Sequence, residues 1–378
     1  MTQESTNHPL PIDSTASTHS IESDTFKVAK ERSDAVWADL KENAARYRML
    51  TGDRPTGPLH IGHYFGSLKN RVHLQNLGVD SFIVIADYQV LTDRDQANSI
   101  QEHVREVILD YLAVGLDPFD AQTTIFCHSQ IPELNQLLLP FSTLVSVPEL
   151  QRNPTIKEEA SAMKLSTVSA SMLTYPIHQA ADILFCRGQL VPVGKDQLPH
   201  LELCRKIARR FNQRYSKKKR FFQEPTALLA DTPLIMGLDG DQKMSKSRGN
   251  AIQLKMSEKE TAKLIKRAKT DSDRLITYDP ANRPEVANLL RLLSLCTDQT
   301  PQFWAEKIGD GGGGLLKTTL AEHLNTFFEP IRKRREEYSK DPNVVRDVLT
   351  QGNQRAREVA IDTLDAVRKA MKMDYSNL

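Results

Sequence analysis

Apolar positions in the first half of the chain fall into two alternating kinds of block. Ser81–Ala86 (SFIVIA) is a continuous apolar run, the pattern of a parallel strand buried on both faces, and Thr123–Phe126 and Leu190–Val193 read as further strands. Between them Ile100, Val104, Val107, Ile108, Tyr111 and Leu112 recur at helical spacing and mark a core-facing stripe. Leu134–Leu144 and Asp196–Arg210 read as helices too. Tyr47–Leu50 is a short strand that breaks at Thr51-Gly52-Asp53-Arg54-Pro55-Thr56-Gly57-Pro58, and a helical pattern opens at Leu59. Phe26–Arg46, with Val28, Val36, Trp37 and Leu40 as its apolar positions, predicts a helix docked in front of that strand.

The order βαβα predicts an α/β fold, a Rossmann-like doubly wound parallel sheet, followed by a smaller C-terminal helical domain. After Pro225 the strands fade, glycines flank a lysine-rich loop, and the remainder reads as helical; Gly311–Gly314 separates two helical stretches and predicts a flexible connection. The expected organisation is a disordered tail over 1–25, a helical extension over 26–46, a catalytic domain over 47–235, a loop over 236–250, and a helical domain over 251–378 whose last helices can return to the catalytic domain. The tail reading rests on ten Ser/Thr and no Lys or Arg among the first 25 residues, a composition that suits neither a signal peptide nor a transit peptide.

With 378 residues and 39% hydrophobic content, the chain exceeds one small module and is too apolar for disorder. No apolar run approaches the length of a membrane span, and mean hydropathy is -0.44. Cys127, Cys186, Cys204 and Cys296 form no C-x-x-C pair, which disfavours zinc, iron-sulfur and disulfide frameworks and suits a reducing cytosol; no metal ligand set is expected. The net charge of +2 leaves any nucleic-acid contact to local patches, of which Arg205–Arg220 and Arg332–Arg335 are candidates; such runs serve equally as solvated faces.

Two short motifs carry chemistry. His60-Ile61-Gly62-His63 falls in the opening turn of the helix after the first strand, where a parallel sheet of this kind binds its ligand. Two histidines three apart share a helical face, and Gly62 lets a base or a phosphate chain approach the backbone; two ordinary surface histidines would fit the spacing as well. Some 180 residues later, Lys243-Met244-Ser245-Lys246-Ser247 can close over a triphosphate and neutralise a pyrophosphate leaving group, or be a solvated basic loop. In Tyr175-Pro176-Ile177-His178-Gln179-Ala180-Ala181-Asp182, Pro176 suits a first helical position, and Tyr175, Gln179 and Asp182 would then face one way as a pocket wall.

Taken together, in this order and on this scaffold, the motifs resemble the HIGH and KMSKS signatures of class I aminoacyl-tRNA synthetases, and the 175–184 stretch resembles the tryptophanyl branch. The resemblance runs from about Arg48 to Met373 and is nearest to the divergent auxiliary form some bacteria carry, which shares T-G-D-R-P-T-G and M-S-K-S-x-G-N. It departs from the main bacterial form at His60, His63, Gln89 and Gln179. It implies His60, His63, Lys243 and Lys246 as catalytic residues. The implied ATP site comprises Arg54, Pro55, Thr56, Gly62, His63, Gly194, Lys195, Asp196, Ile235 and the loop Lys243, Met244, Ser245, Lys246 and Ser247. The implied tryptophan site comprises Gly52, Tyr175, Gln179, Asp182, Val191, Val193 and Gln197, with Asp182 accepting the indole N–H and Ala181 leaving room for the ring. The implied partners are ATP with Mg2+, L-tryptophan, tRNA(Trp) and a second copy of the chain, in the cytoplasm and without a membrane. A tyrosyl enzyme and a non-catalytic tryptophan-binding paralogue remain the alternatives.

Overall fold

The computed structural model describes residues 15–92, 97–119, 122–162, 168–194, 197–216, 220–229, 235–240, 242–245 and 248–375. Helix α1 (Thr15–Asn43) precedes strand β1 (Arg48–Asp53), and a helical segment follows through α2 (Ile61–His63), a π-turn (Tyr64–Leu68) and α3 (Lys69–Asn76). Strand β2 (Asp80–Ile85), helix α4 (Ile100–Val114) and strand β3 (Thr123–Cys127) continue the alternation. Four short helices, α5–α8 (Pro132–Gln136, Leu138–Ser142, Val147–Gln151 and Pro154–Ala162), lead to α9 (Ala170–Phe185), β4 (Leu190–Val193), α10 (Leu198–Tyr215) and β5 (Thr226–Leu229). The rest is helical: α11 (Glu258–Lys266), α12 (Pro284–Thr297), α13 (Pro301–Ile308), α14 (Gly312–Lys340) and α15 (Val344–Ala370).

The five strands form one parallel sheet in the order β3-β2-β1-β4-β5. β1 pairs with β2 over six positions, from Arg48↔Asp80 to Asp53↔Ile85, but with β4 only at Met49↔Leu190. The two strands therefore part toward their C-terminal ends at the point where strand order reverses, which opens the crevice. Each strand is buried on both faces. Phe82, Val84 and Phe126 meet α9 and α10 on one side, while Ile83, Ile85 and Ile125 join α4, α12 and α14 on the other. The C-terminal helices thus share a core with the sheet.

Both sheet edges are roofed by helices, one by α1 and the other by α15. On β5, Ser33 Oγ of α1 accepts the Leu229 N–H (2.9 Å) and Trp37 Nε1 donates to Leu229 O (3.2 Å). On β3, Asn353 Oδ1 of α15 accepts the Cys127 N–H (3.0 Å), and Arg355 reaches Thr124 Oγ1 and Asp80 at 2.8 and 2.7 Å. These contacts satisfy polar edge groups that would otherwise invite pairing with another chain.

Five expectations from the pattern need correction. β1 runs on through Gly52 and Asp53, because Gly52 lies against β2 so closely that a Cβ would fall 2.1 Å from Val84 O. A fifth strand, Thr226–Leu229, follows Pro225, too short to register as an apolar block. α1 begins at Thr15, inside the segment expected to be a disordered tail, while residues 1–14 lie outside the described residues. Pro176 sits within α9 rather than opening it; the helix starts at the Ser169 cap, whose side chain accepts the Met172 N–H. The glycines at 311–314 do not form a flexible connection. Gly312 turns the chain at a φ of 70° into α14, and a Cβ on Gly313 would meet Thr270 Oγ1 at 2.9 Å.

A buried polar node ties β1 to α3 and α4. Asp53 Oδ2 accepts from Arg71 Nη1 (2.7 Å) and from the Tyr111 hydroxyl (2.6 Å), and Arg71 Nη2 also reaches Gly52 O (3.3 Å). Burial pushes the Asp53 carboxyl up, but Arg71, His63 and Tyr111 outweigh it and hold the group at about 2. Arg71, with 3% of its side chain exposed, has this carboxylate as its counter-charge.

Two outcomes follow from these contacts. A Cβ on Gly352 would lie 1.8 Å from Ile125 O, so Gly352→Ala must push α15 off β3. A loss of about 1–3 kcal/mol is expected from such overpacking, read as a lower urea midpoint. Because the folded Asp53 carboxyl lies below its ordinary value, its contribution is complete above about pH 4 and disappears as pH falls toward 2. Asp53→Asn should cost at least about 2 kcal/mol at pH 7 and flatten the stability profile between pH 4 and 2; urea titrations at pH 7, 4 and 3 check both.

Candidate active site

The histidine turn is built as a helix cap. His60 is extended (φ -128°, ψ 169°) and caps α2, His63 Nδ1 accepts the His60 backbone N–H (3.1 Å), and the two rings lie 3.8 Å apart. In the neutral ring this bond places the His63 hydrogen on Nε2. The turn is also held from outside. Ile61 N donates to Ile252 O and Leu254 N to Leu59 O, each at 2.9 Å, so residues 59–61 pair with the strand-like segment that follows the lysine loop. Beneath it, the buried Asp110 carboxylate of α4 accepts from Leu59 N and from Arg335 Nε of α14, both at 2.6 Å. Burial raises the Asp110 carboxyl above its ordinary value despite Arg335.

The lysine loop is anchored at its described positions. Met236 bridges to Lys243, Met244 is buried with its N–H on Ile235 O (3.3 Å), and Ser245 N donates to Asn250 Oδ1 (2.8 Å). A Cβ on Gly62 would fall 2.9 Å from His60 Nδ1, so the glycine makes room for the His60 ring, while Met244 Cβ at 3.6 Å would be in ordinary contact. Lys246 and Ser247 lie outside the described residues, as do Lys195 and Asp196.

The two motifs flank a cleft of about 1580 Å³. His60, Gly62, His63, Arg54, Ile235, Lys243 and Met244 line one part of it, and Gly52, Tyr175, Gln179, Asp182, Val191, Val193, Gly194 and Gln197 another. Tyr175, Gln179 and Asp182 share one wall of α9, as their spacing predicts. Pro55, Thr56 and Ser245 are off the wall. Ala181 is also elsewhere: it is fully buried in the core of the sheet's α9 face, so it does not itself shape the cleft. Helix geometry explains this, since the residue before Asp182 points about 100° away from it.

The Asp182 carboxylate is the unusual group on this wall. It is 2% exposed, and Oδ1 has no hydrogen-bond donor; the nearest charged partner is His128 Nδ1 at 3.4 Å. His128, fully buried, accepts the Tyr88 N–H at Nε2 (2.8 Å) and lies 3.3 Å from Asp87 Oδ1, while Ser129 Oγ donates to Asp87 Oδ2. His178 Nε2 contacts Asn135 Oδ1 (2.7 Å), and burial holds this histidine below its ordinary value against the pull of Asp182. Asp53, Asp87, His128 and Asn135 were not singled out from the sequence. The available signal was positional: Asp53, Asp87 and His128 stand at or just beyond the C-terminal ends of β1, β2 and β3, where ligand-facing groups of such sheets collect.

Among the described residues, several arginines of the basic runs are paired within the chain. Glu224 pairs with Arg205 and Arg209 at 3.2 and 2.7 Å and with Arg220 at 3.9 Å, and Arg210 pairs with Glu149 at 2.6 Å. Arg334 Nε donates to Ala113 O (2.7 Å) and Arg335 binds Asp110 and Glu106, so this second cluster pins α14 to α4.

The sequence from 41 to 329 matches the family model of class I tRNA synthetases for W and Y. A tryptophan–tRNA ligase of Clostridium longisporum is 43% identical over 341 residues, which cover 88% of this chain and 99% of that protein. One from Treponema pallidum is 40% identical, covering 86% and 96%. The crystal structure of tryptophanyl-tRNA synthetase from Campylobacter jejuni, complexed with ADP and tryptophan, superposes with a TM-score of 0.74 at 30% identity, covering 86% of this chain and 99% of that one. With two such relatives at 40% identity or more and a family model spanning most of its length, the chain belongs to the tryptophanyl branch of the class I tRNA synthetases.

Proposed function

We infer that the chain is an ATP-dependent tryptophan–tRNA ligase, which joins L-tryptophan to AMP with release of diphosphate and passes the tryptophanyl group to the 3′ end of tRNA(Trp). The observation that carries the substrate assignment is the Asp182 Oδ1 atom, buried at the cleft wall without a hydrogen-bond donor. An indole N–H supplies that donor. Phenylalanine cannot, and a buried acceptor left unpaired costs about 1–3 kcal/mol.

The chemistry needs no side-chain nucleophile. The tryptophan carboxylate attacks the α-phosphorus in line, the bond to the bridging oxygen breaks, and diphosphate leaves with the electron pair. ATP enters as its Mg2+ complex, whose metal spreads the charge of the phosphates. Asp53 is committed to Arg71 and Tyr111, an arrangement suited to a metal carried by the nucleotide rather than by this carboxylate. His63 donates from Nε2 to a phosphate oxygen, His60 holds the turn that aims it, and Lys243 and Lys246 neutralise the departing diphosphate. Arg54, Gly62, Gly194, Ile235 and Met244 border the nucleotide, while Gly52, Tyr175, Gln179, Val191, Val193 and Gln197 enclose the amino acid. A ribose hydroxyl of the tRNA 3′ end then displaces AMP from the tryptophanyl carbonyl.

Among the described residues no helix is long and apolar enough to cross a membrane. We further propose a cytoplasmic homodimer; light scattering is expected at about twice 42.7 kDa, and a fully active monomer would contradict it.

Tryptophan-dependent exchange of diphosphate into ATP should be robust, with tyrosine giving no comparable rate; equal rates with the two amino acids would sink the tryptophan assignment. In the same assay Lys246→Ala should lose about 2–4 kcal/mol of transition-state stabilisation, while tryptophan affinity measured by calorimetry stays near wild type. Weakened tryptophan binding with normal single-turnover chemistry would give the loop a different role.

A further inference from the structure

We propose that His128, His178 and Asp182 form a binding site for a divalent transition metal, Zn2+ by its ligand chemistry, and that its occupation excludes tryptophan. The exclusion rests on Asp182 being the tryptophan-reading residue. The metal site itself does not.

One ligand atom from each of the three residues lies within 4.8 Å of the others. Two of the candidate ligand atoms, His128 Nδ1 and Asp182 Oδ1, are buried without a hydrogen-bond partner. Their separation of 3.4 Å is long for a hydrogen bond. It matches the edge of a tetrahedron around zinc, roughly 3.3–3.5 Å for ligand distances near 2.0–2.1 Å.

The surroundings complete the pattern. A zinc-bound imidazole ordinarily gives its other ring nitrogen to a carboxylate or carbonyl, which fixes the ring. Here His178 Nε2 lies 2.7 Å from Asn135 Oδ1, and that amide is itself held by bonds from Nδ2 to His128 O (2.8 Å) and Ile131 O (3.0 Å). His128 Nε2 lies 3.3 Å from Asp87 Oδ1. In the metal-free state Nε2 accepts the Tyr88 N–H, which also reaches Asp87 Oδ1 at 3.1 Å. On metal binding the His128 proton moves to Nε2 and turns to Asp87, and the Tyr88 amide keeps its carboxylate bond. Two imidazoles and one carboxylate favour zinc or cobalt over Mg2+, which prefers oxygen. Asp182 also lines the cleft, so a fourth position faces the substrate space. The metal and the indole N–H compete for the same carboxylate.

Metal-free, full-length protein is titrated with Co2+, whose tetrahedral complexes show intense visible d–d bands, and then with Zn2+ in competition. Both titrations are repeated with saturating tryptophan, and tryptophan binding is followed by calorimetry with and without Zn2+. One Co2+ per chain with a tetrahedral spectrum is expected, displaced by Zn2+. Tryptophan and Zn2+ should each weaken the other at least tenfold, by the same factor. His178→Gln and His128→Gln should each lower Zn2+ affinity at least tenfold. A purely octahedral Co2+ spectrum, metal affinity unmoved by both variants, or independent binding of Zn2+ and tryptophan would overturn the proposal. Should either variant fail to fold, the mutual exclusion in the wild-type protein decides. If metal-free protein binds no tryptophan, the substrate assignment fails and the variants still test the metal site.

Discussion

The backbone pairing between residues 59–61 and 252–254 joins segments about 190 residues apart and fixes how the histidine turn and the lysine loop sit across the cleft. A histidine turn and a lysine loop remote in sequence can act on one phosphate chain only if something fixes their separation. Two amide bonds do so here. Asp110 supports the arrangement from below. Its carboxylate takes the Leu59 amide on one side and Arg335 on the other, so the histidine turn is tied both to α4 and to α14. Buried charge is costly, and this one is tolerated because both oxygens are bonded.

The same economy governs the rest of the charge. Arg205, Arg209 and Arg210 look from their sequence like a surface prepared for nucleic acid, yet each closes on Glu224 or Glu149. Charge runs record composition, whereas pairing depends on acids brought in from elsewhere by the fold. Asp53 makes the complementary point: its neighbours in sequence are a glycine and an arginine, and its charge is stabilised by Arg71 and Tyr111 from two later helices.

Much of the fold was legible because buried parallel strands leave continuous apolar runs, as at Phe82–Ile85, and because α4 keeps a strict helical stripe. The cleft wall was legible from spacing alone, since Tyr175, Gln179 and Asp182 lie on one face of α9 whatever starts that helix. What escaped had no local signature. β5 has four residues, and its place in the sheet is set by pairing with β4. The glycines at 311–314 read as a linker, although the positive φ of Gly312 and the close contacts of Gly311 and Gly313 serve a tight turn into α14. Ala181 was assigned to the wrong side of the wall because its neighbour in sequence is not its neighbour on the helix surface. His128 went unnoticed because its meaning lies in Asp87, Tyr88 and Asp182, none of them close to it along the chain.

The two roofed sheet edges also have a consequence in time. The cover of β5 comes from α1, which leaves the ribosome before the five strands of this sheet, so that edge has its partner waiting when Thr226–Leu229 emerges. The cover of β3 is α15, made more than two hundred residues after the strand it protects. Throughout that interval Thr123–Cys127 presents an apolar strand with an open outer edge, the kind of surface that draws nascent chains together. Helix α15 is therefore the one that ends the vulnerable period, and a chain released short of it would carry a finished cleft on a sheet still able to recruit strangers.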